Sequence, residues 1–315
     1  MTQREQIRNL ILLAIAGLAL ALLPHGISVY LRSFALFTMM YVVLALSWNI
    51  ISGFTGYTSF GHVAFYGIGA YACAILVADY GWHWIPTLFV GAFVAGIVAI
   101  ALGYPVLRLK GPYFAIAMLG AAEGTRVVVT VWDSLTHGGL GISFPTAADS
   151  ENSIPTYYAM LVLMLATIVV AYGIGHSRFG VRLNAIREDE VAAEALGIDV
   201  TRYKLVAFVL SAVFPAMAGG IQAYKVLYIE PLSTFFVQIT IAMALMAMLG
   251  GKGTVIGPII GAVLLYTAQE LTWVNFPTAH LIAYGLFIIV VARFIPRGLM
   301  GFAIDRGWVR KGMVH

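Results

Sequence analysis

The stretch whose reading decides the architecture is Ser177–Lys204, SRFGVRLNAIREDEVAAEALGIDVTRYK. It is the longest polar island in a chain made mostly of apolar runs. Arg178, Arg182, Arg187, Glu188, Asp189, Glu190, Glu194, Asp199, Arg202 and Lys204 all fall inside it. Apolar segments flank it on both sides, Tyr157–Ile174 before and Leu205–Leu227 after. Each approaches the roughly 20 apolar residues that an α-helix needs to cross hydrocarbon. The island therefore reads as a polar loop folded outside a bilayer and anchored at both ends within it.

Composition extends this reading to the whole chain. Hydrophobic residues make up 61% and charged residues 10%, with a mean hydropathy of +0.92. A soluble domain is about half apolar and a quarter charged. The expectation is an all-α, polytopic bundle forming one membrane domain over residues 1–315. The single cysteine, Cys73, lies in an apolar run, which excludes a disulfide framework and a thiol metal site. The sequence pI near 9.1 is read as basic cytoplasmic loops rather than nucleic-acid binding.

Ten segments qualify as spans: Asn9–Val29, Phe34–Ile51, Gly61–Ala78, Trp84–Tyr104, Tyr113–Trp132, Tyr157–Ile174, Leu205–Leu227, Phe236–Leu249, Thr254–Leu271 and Thr278–Phe294. The first is expected to be a retained anchor rather than a cleaved signal, because another apolar segment follows at once. The eighth is short and reads as broken or tilted. With the N-terminus inside and strict alternation, 15 of the 18 basic residues fall on the inner side. Only Arg32 and Lys225 fall outside, and Arg126 lies within a span, while Asp79, Asp133, Asp149, Glu151 and Glu230 fall outside. That separation predicts ten spans with both termini cytoplasmic. Trp82, Trp84, Trp132 and Trp273 land near the outer boundary, as an aromatic belt does.

Within the island, Ala185–Leu196 is predicted to form one helix. Asn184 is its N-cap, Glu188 to Glu190 lie near its positive end, and Gly197 stops it. Arg187, Glu190 and Glu194 share one face, and Ala192, Ala193 and Leu196 form a face of small and apolar residues. Two readings stand: a helix that inserts into a groove on a partner, or an ordinary solvated connector.

The block Glu190-Val191-Ala192-Ala193-Glu194-Ala195-Leu196-Gly197 resembles the coupling loop of ATP-binding-cassette importer permeases. Ser47 to Tyr71, SWNIISGFTGYTSFGHVAFYGIGAY, resembles the hallmark of the branched-chain amino-acid permease family. Leu109–Ala117 and Gly250–Pro258 fit the same family, and the likeness runs from about Phe34 to Arg297, with the length of the larger, LIV-type permease. Two departures stand out. His137 in Thr136-His137-Gly138-Gly139 sits where a glycine is usual, and Tyr57-Thr58-Ser59-Phe60 is more aromatic and polar than the common form.

The resemblance implies an inner-membrane permease of bacteria that moves a branched-chain or other small neutral amino acid by alternating access. It implies a second permease subunit, two cytoplasmic ATPases and a periplasmic binding protein. One ATPase would grip the loop through Arg187, Glu188, Glu190, Ala192, Ala193, Glu194, Leu196 and Gly197. The binding protein would meet the outer loop at 133–156, including Thr136, His137, Gly138 and Gly139. The chain has no phosphate-binding GxxxxGK[ST] loop; Gly250-Gly251-Lys252-Gly253-Thr254 has the wrong spacing. ATP therefore belongs to a partner, and no cofactor, catalytic residue or metal ligand is expected here. The rival class is a ten-span secondary transporter driven by an ion gradient. A membrane enzyme would need an acid–base or metal constellation that the sequence does not offer.

Two further places invite a functional reading. Ser52–Gly61 should break a helix. Thr55, Thr58 and Ser59 either line a translocation path or serve a tight turn, with Gly61, Gly67 and Gly69 packing helices closely. Glu123 and Arg126 are charges deep within a span, about 15 Å from its start at Tyr113. Their i, i+3 spacing pairs them on one face, expected to look into the bundle, as a gate element or a structural ion pair. Gly250–Pro258 reads as a second break, and Met243, Met246 and Met248 as core packing.

Overall fold

The computed structural model describes residues 17–144, 153–275 and 298–306, together with Gly285 and Ile289. The main helices are α1 (Val29–Ser52), α2 (His62–Ala78), α3 (Trp84–Val106), α4 (Pro112–Val131), α5 (Ser153–His176), α6 (Arg178–Glu188), α7 (Glu190–Ala195), α8 (Val200–Val226), α9 (Val237–Gly250), α10 (Ile256–Asn275) and α11 (Gly298–Asp305). The β-structure among the described residues is two residues of β1 (Ile142–Ser143) paired antiparallel with β2 (Tyr228–Ile229). The chain is an all-α membrane protein.

Among the described residues, six helical stretches are long and apolar enough to cross a membrane: α1, α3, α4, α5, α8 and Pro231–Gly250. The last joins a one-turn helix, Pro231–Thr234, to α9; the predicted segment Phe236–Leu249 is itself one unbroken helix, and the break lies just before it, at Phe235. Two predicted spans fall short of this standard for physical reasons. α2 has 17 residues, about 25 Å of helix, less than a hydrocarbon core of roughly 30 Å. α10 carries Gln269 and Glu270 in its apolar run, and the predicted start at Thr254 is instead a cap: Thr254 Oγ1 accepts from Gly257 N at 3.1 Å. The predicted spans Asn9–Val29 and Thr278–Phe294 lie largely outside the described residues, as do both termini.

α8 is the central helix and packs against α1, α2, α3 and α5. Its contact with α2 is backbone against backbone. A Cβ on Gly69 would stand 1.9 Å from Ala216 O, and one on Gly219 would stand 2.1 Å from Tyr66 O. Lipid tails are as apolar as leucine, so helices in a bilayer gain by close packing rather than by escaping water. The C-terminal half of α1 is buried on every side, from Val42 to Ser52, as a core helix should be.

The connections gather at two ends. At one end lie the segment between α1 and α2, the α3–α4 turn, the polar island and the α9–α10 turn. At the other lie Asp79, residues 133–144 and the start of Pro231–Gly250.

Gly69→Ala is expected to force α2 and α8 apart and to cost about 3 kcal/mol or more, lowering the thermal midpoint in detergent. Gly173→Ala, with nothing within 4 Å of its Cβ position, is expected to leave that midpoint unchanged.

Candidate functional site

At the polar-island end, two non-helical segments are stitched to their surroundings by side chains. In the α1–α2 break, Trp48 Nε1 donates to Ser59 O at 2.8 Å, and Ser52 Oγ accepts from Ser59 N at 3.2 Å. Thr55 Oγ1 donates to Ile51 O at 2.6 Å. Ser59 Oγ and Ser211 Oγ lie 2.8 and 3.0 Å from the two ring nitrogens of buried His62. The hydroxyls of Thr55 and Ser59 are thus engaged by the backbone and by His62, and both residues are buried. Thr58 is partly exposed. The α9–α10 turn is held by Asn49 of α1, whose Nδ2 donates to Thr254 O and whose Oδ1 accepts from Gly253 N, each at 2.8 Å.

Arg187 joins the two segments. Its Nη1 donates to Gly53 O at 2.9 Å. A Cβ on Gly253 would stand 2.4 Å from the same nitrogen, and the φ of +80° there favours glycine in any case.

The polar island differs from the single predicted helix Ala185–Leu196. It is two helices, α6 and α7, broken at Asp189. Asp189 is extended (φ −156°, ψ 112°), and its carboxylate accepts from Val191 N at 2.9 Å and Ala192 N at 3.0 Å. A short acidic side chain that can cap a new helix competes with continuing the old one. Asn184 is consequently inside α6, whose N-cap is Ser177. Gly197 ends the unit at φ +82°, as expected.

The break at Asp189 re-sorts the predicted faces. Ala193 is buried with Ile186 and Val200, so Ala192, Ala193 and Leu196 do not form one open face. Glu190 turns inward. Its Oε2 accepts from Tyr57 OH at 2.5 Å and its Oε1 from Lys204 Nζ at 2.8 Å. Lys204 Nζ also donates to Leu107 O at 3.0 Å and lies 4.4 Å from the Tyr57 ring centroid. The Lys204 side chain is 3% exposed and that of Glu190 18%. Burial disfavours the Glu190 anion, yet the bonds from Lys204 and Tyr57 outweigh it and hold the carboxyl below the usual carboxylate range. Burial, then Glu190, push the Tyr57 phenol well above its ordinary range. Outward, Val191 is 65% and Leu196 80% exposed, and Glu188 and Glu194 are exposed beside them.

Comparison with known proteins assigns this architecture. The family described as "Branched-chain amino acid transport system / permease component" matches residues 30–291. The chain belongs to that permease family. It is similar to the high-affinity branched-chain amino acid transport system permease protein LivM of Salmonella typhimurium, 31% identical, over 93% of this chain and 75% of that protein. LivM of Escherichia coli is 30% identical over the same shares. LivH of Escherichia coli is 29% identical over 83% of this chain and 91% of that protein.

In this permease the charges of α4 pair as expected, Arg126 Nε to Glu123 Oε2 at 2.8 Å. Both side chains lie at the edge of the bundle, partly exposed, Arg126 27% and Glu123 43%. α4 packs through Phe114, Met118, Ala122 and Val129, and Glu123 sits one position past that line.

At the opposite end, His137 takes a left-handed conformation (φ 58°), a region that glycine occupies readily. Its Nε2 lies 3.2 Å from both carboxylate oxygens of Asp79. Thr136 Oγ1 donates to Val129 O at 2.6 Å. A Cβ on Gly138 would stand 1.9 Å from Asp133 Oδ1, whereas Gly139 is open. Of the rest of the predicted outer loop, 145–152 lies outside the described residues and 153–156 forms the first turn of α5.

Tyr57, Lys204, Asn49 and Val191 are the site residues that sequence reasoning missed. A lysine just ahead of a span and an asparagine inside one are detectable signals, since polar groups near hydrocarbon need partners. Asn49→Leu is expected to cost roughly 1–3 kcal/mol for each backbone group it leaves unpaired, read as a lowered thermal midpoint in detergent. Because folding lowers the Glu190 pKa, its contribution is present above the unfolded value and drains away as pH falls through the folded one. Melting temperature should therefore drop below about pH 4, and Glu190→Gln should flatten that acid limb.

Proposed function

We propose that this permease is one membrane subunit of an ATP-driven importer of the bacterial inner membrane, carrying a branched-chain or related small neutral amino acid by alternating access. The observation that carries the reading is the two-sided character of α7. One side presents Val191, with Leu196 just past its end, to solvent on a loop rich in charge. The other is tied by Glu190 and Ala193 to the bundle. A short helix with an apolar knob outward and polar anchors inward suits insertion into a groove of an ATPase. The polar-island end is then cytoplasmic, and the end with Asp79, His137 and Glu230 faces the periplasmic binding protein.

A second permease subunit covers α4 in this reading. Only 22% of its most apolar window is buried within the chain, and Glu123 and Arg126 lie near mid-bilayer depth. Charges at that depth face protein or a water-filled path, not lipid. A chain similar to both LivM and LivH suits pairing with a second permease of its own family. Energy supplied by a separate ATPase accords with a sequence lacking its own phosphate loop.

The test is uptake into proteoliposomes holding both permeases and both ATPases, with binding protein added. Vanadate-sensitive, ATP-dependent uptake of a branched-chain amino acid is expected. Leu196→Asp should abolish both ATPase co-purification and uptake. Uptake by the purified chain alone, driven by a proton or sodium gradient, would overturn the proposal.

A further inference from the structure

The outward residues of α7 account for docking, and the bonds from Trp48 and Ser52 hold the α1–α2 break in one shape. What joins them is the buried cluster of Tyr57, Glu190 and Lys204. We infer that these three residues are a transmission joint: they pass displacement of α7 to the α1–α2 break and the α3–α4 turn, and bind neither the ATPase nor the solute. The inference rests on the reading above, in which an ATPase seats on α7.

The argument begins with α7 as a mechanical unit. It is six residues long, about 9 Å, and non-helical residues bound it: extended Asp189 before and left-handed Gly197 after. It can tilt without unwinding α6 or α8. On the bundle side, Ala193 seats it in a small apolar cluster, and the Glu190 carboxylate is its polar attachment. Glu190 holds two different elements at once, Tyr57 on the α1–α2 break and Lys204 on α8.

From there the contacts spread. The Tyr57 ring meets Phe114 edge-on at 5.2 Å between centroids. Phe114 is buried in the first turn of α4, the helix that carries Glu123 and Arg126. Lys204 reaches Leu107 O at the end of α3. A shift of Glu190 is therefore felt by both termini of the α3–α4 turn and by the break. Buried ion pairs contribute little net stability and are better suited to fixing one arrangement of parts. Packed contacts of this kind switch between discrete arrangements rather than deforming smoothly.

The experiment uses the four-subunit complex with its binding protein and measures three quantities: ATPase co-purification, ATP hydrolysis, and solute transported per ATP. Tyr57→Phe keeps the ring on Phe114 and removes the hydroxyl between Glu190 and Lys204. Glu190→Gln removes the charge. In both variants the ATPase should remain bound and hydrolysis should stay within about twofold of wild type. Transport per ATP should fall about tenfold, within the usual range of a coupling between sites. Unchanged transport per ATP in Tyr57→Phe would overturn the joint. So would loss of the ATPase from Glu190→Gln complexes that remain monodisperse, which would place Glu190 on the docking face. If Glu190→Gln does not fold, Tyr57→Phe alone decides. Failure of the importer reading is separately visible, because the wild-type chain would then bind no ATPase.

Discussion

Away from water, every buried backbone amide and carbonyl must find a partner inside the protein. The helices meet that condition alone, but the α1–α2 break and the α9–α10 turn do not. Each is completed by side chains from the C-terminal half of α1. Trp48 and Ser52 serve the break, and Asn49 serves the turn, using both ends of its amide. A leucine or valine at any of these positions would satisfy hydropathy and leave a peptide group stranded. The polar residues in the buried half of α1 are there because irregular backbone lies beside it.

That placement governs the rest of the end. Holding the break open as extended chain puts Tyr57 where a helix would not, alongside the α3–α4 turn and within reach of the polar island. The island answers with two inward contacts, Arg187 on Gly53 and Glu190 on Tyr57, set on either side of Asp189. In a continuous helix Arg187 and Glu190, three residues apart, would lie about 60° from each other on one face; the break at Asp189 instead puts them on separate helices. Two short helices can address two segments independently.

The membrane class and most apolar segments were legible because hydropathy is a property of long windows. The gathering of loops at two ends follows from helices that alternate in direction and does not depend on the basic-residue count. Gly197 was legible too, because a glycine after a short helical run has one main use. Local geometry within the polar island was not. Asp189 looks like an acid in the first turn of one helix or the cap of another, and only the tertiary pull of Tyr57 and Lys204 on Glu190 decides. The exposure of α4 was equally hidden: an i, i+3 ion pair says that two charges meet, not which way the helix is turned. His137 read as an anomaly by type, and its backbone lies in the left-handed region, which histidine is among the residues to tolerate.

Neutral and ionic contacts divide the labour at this end of the bundle. The bonds from Trp48, Asn49 and Ser52 are neutral, and their partners on the two irregular segments would be stranded if they let go; such contacts suit parts that keep one shape. Glu190 and Lys204 carry opposite charges, with the Lys204 side chain 3% and that of Glu190 18% exposed. Parting them would leave a buried ammonium without its counter-charge, which is costlier than stranding one neutral group. The pair therefore ties α7 to the break and to α8 rather than letting it swing free of them.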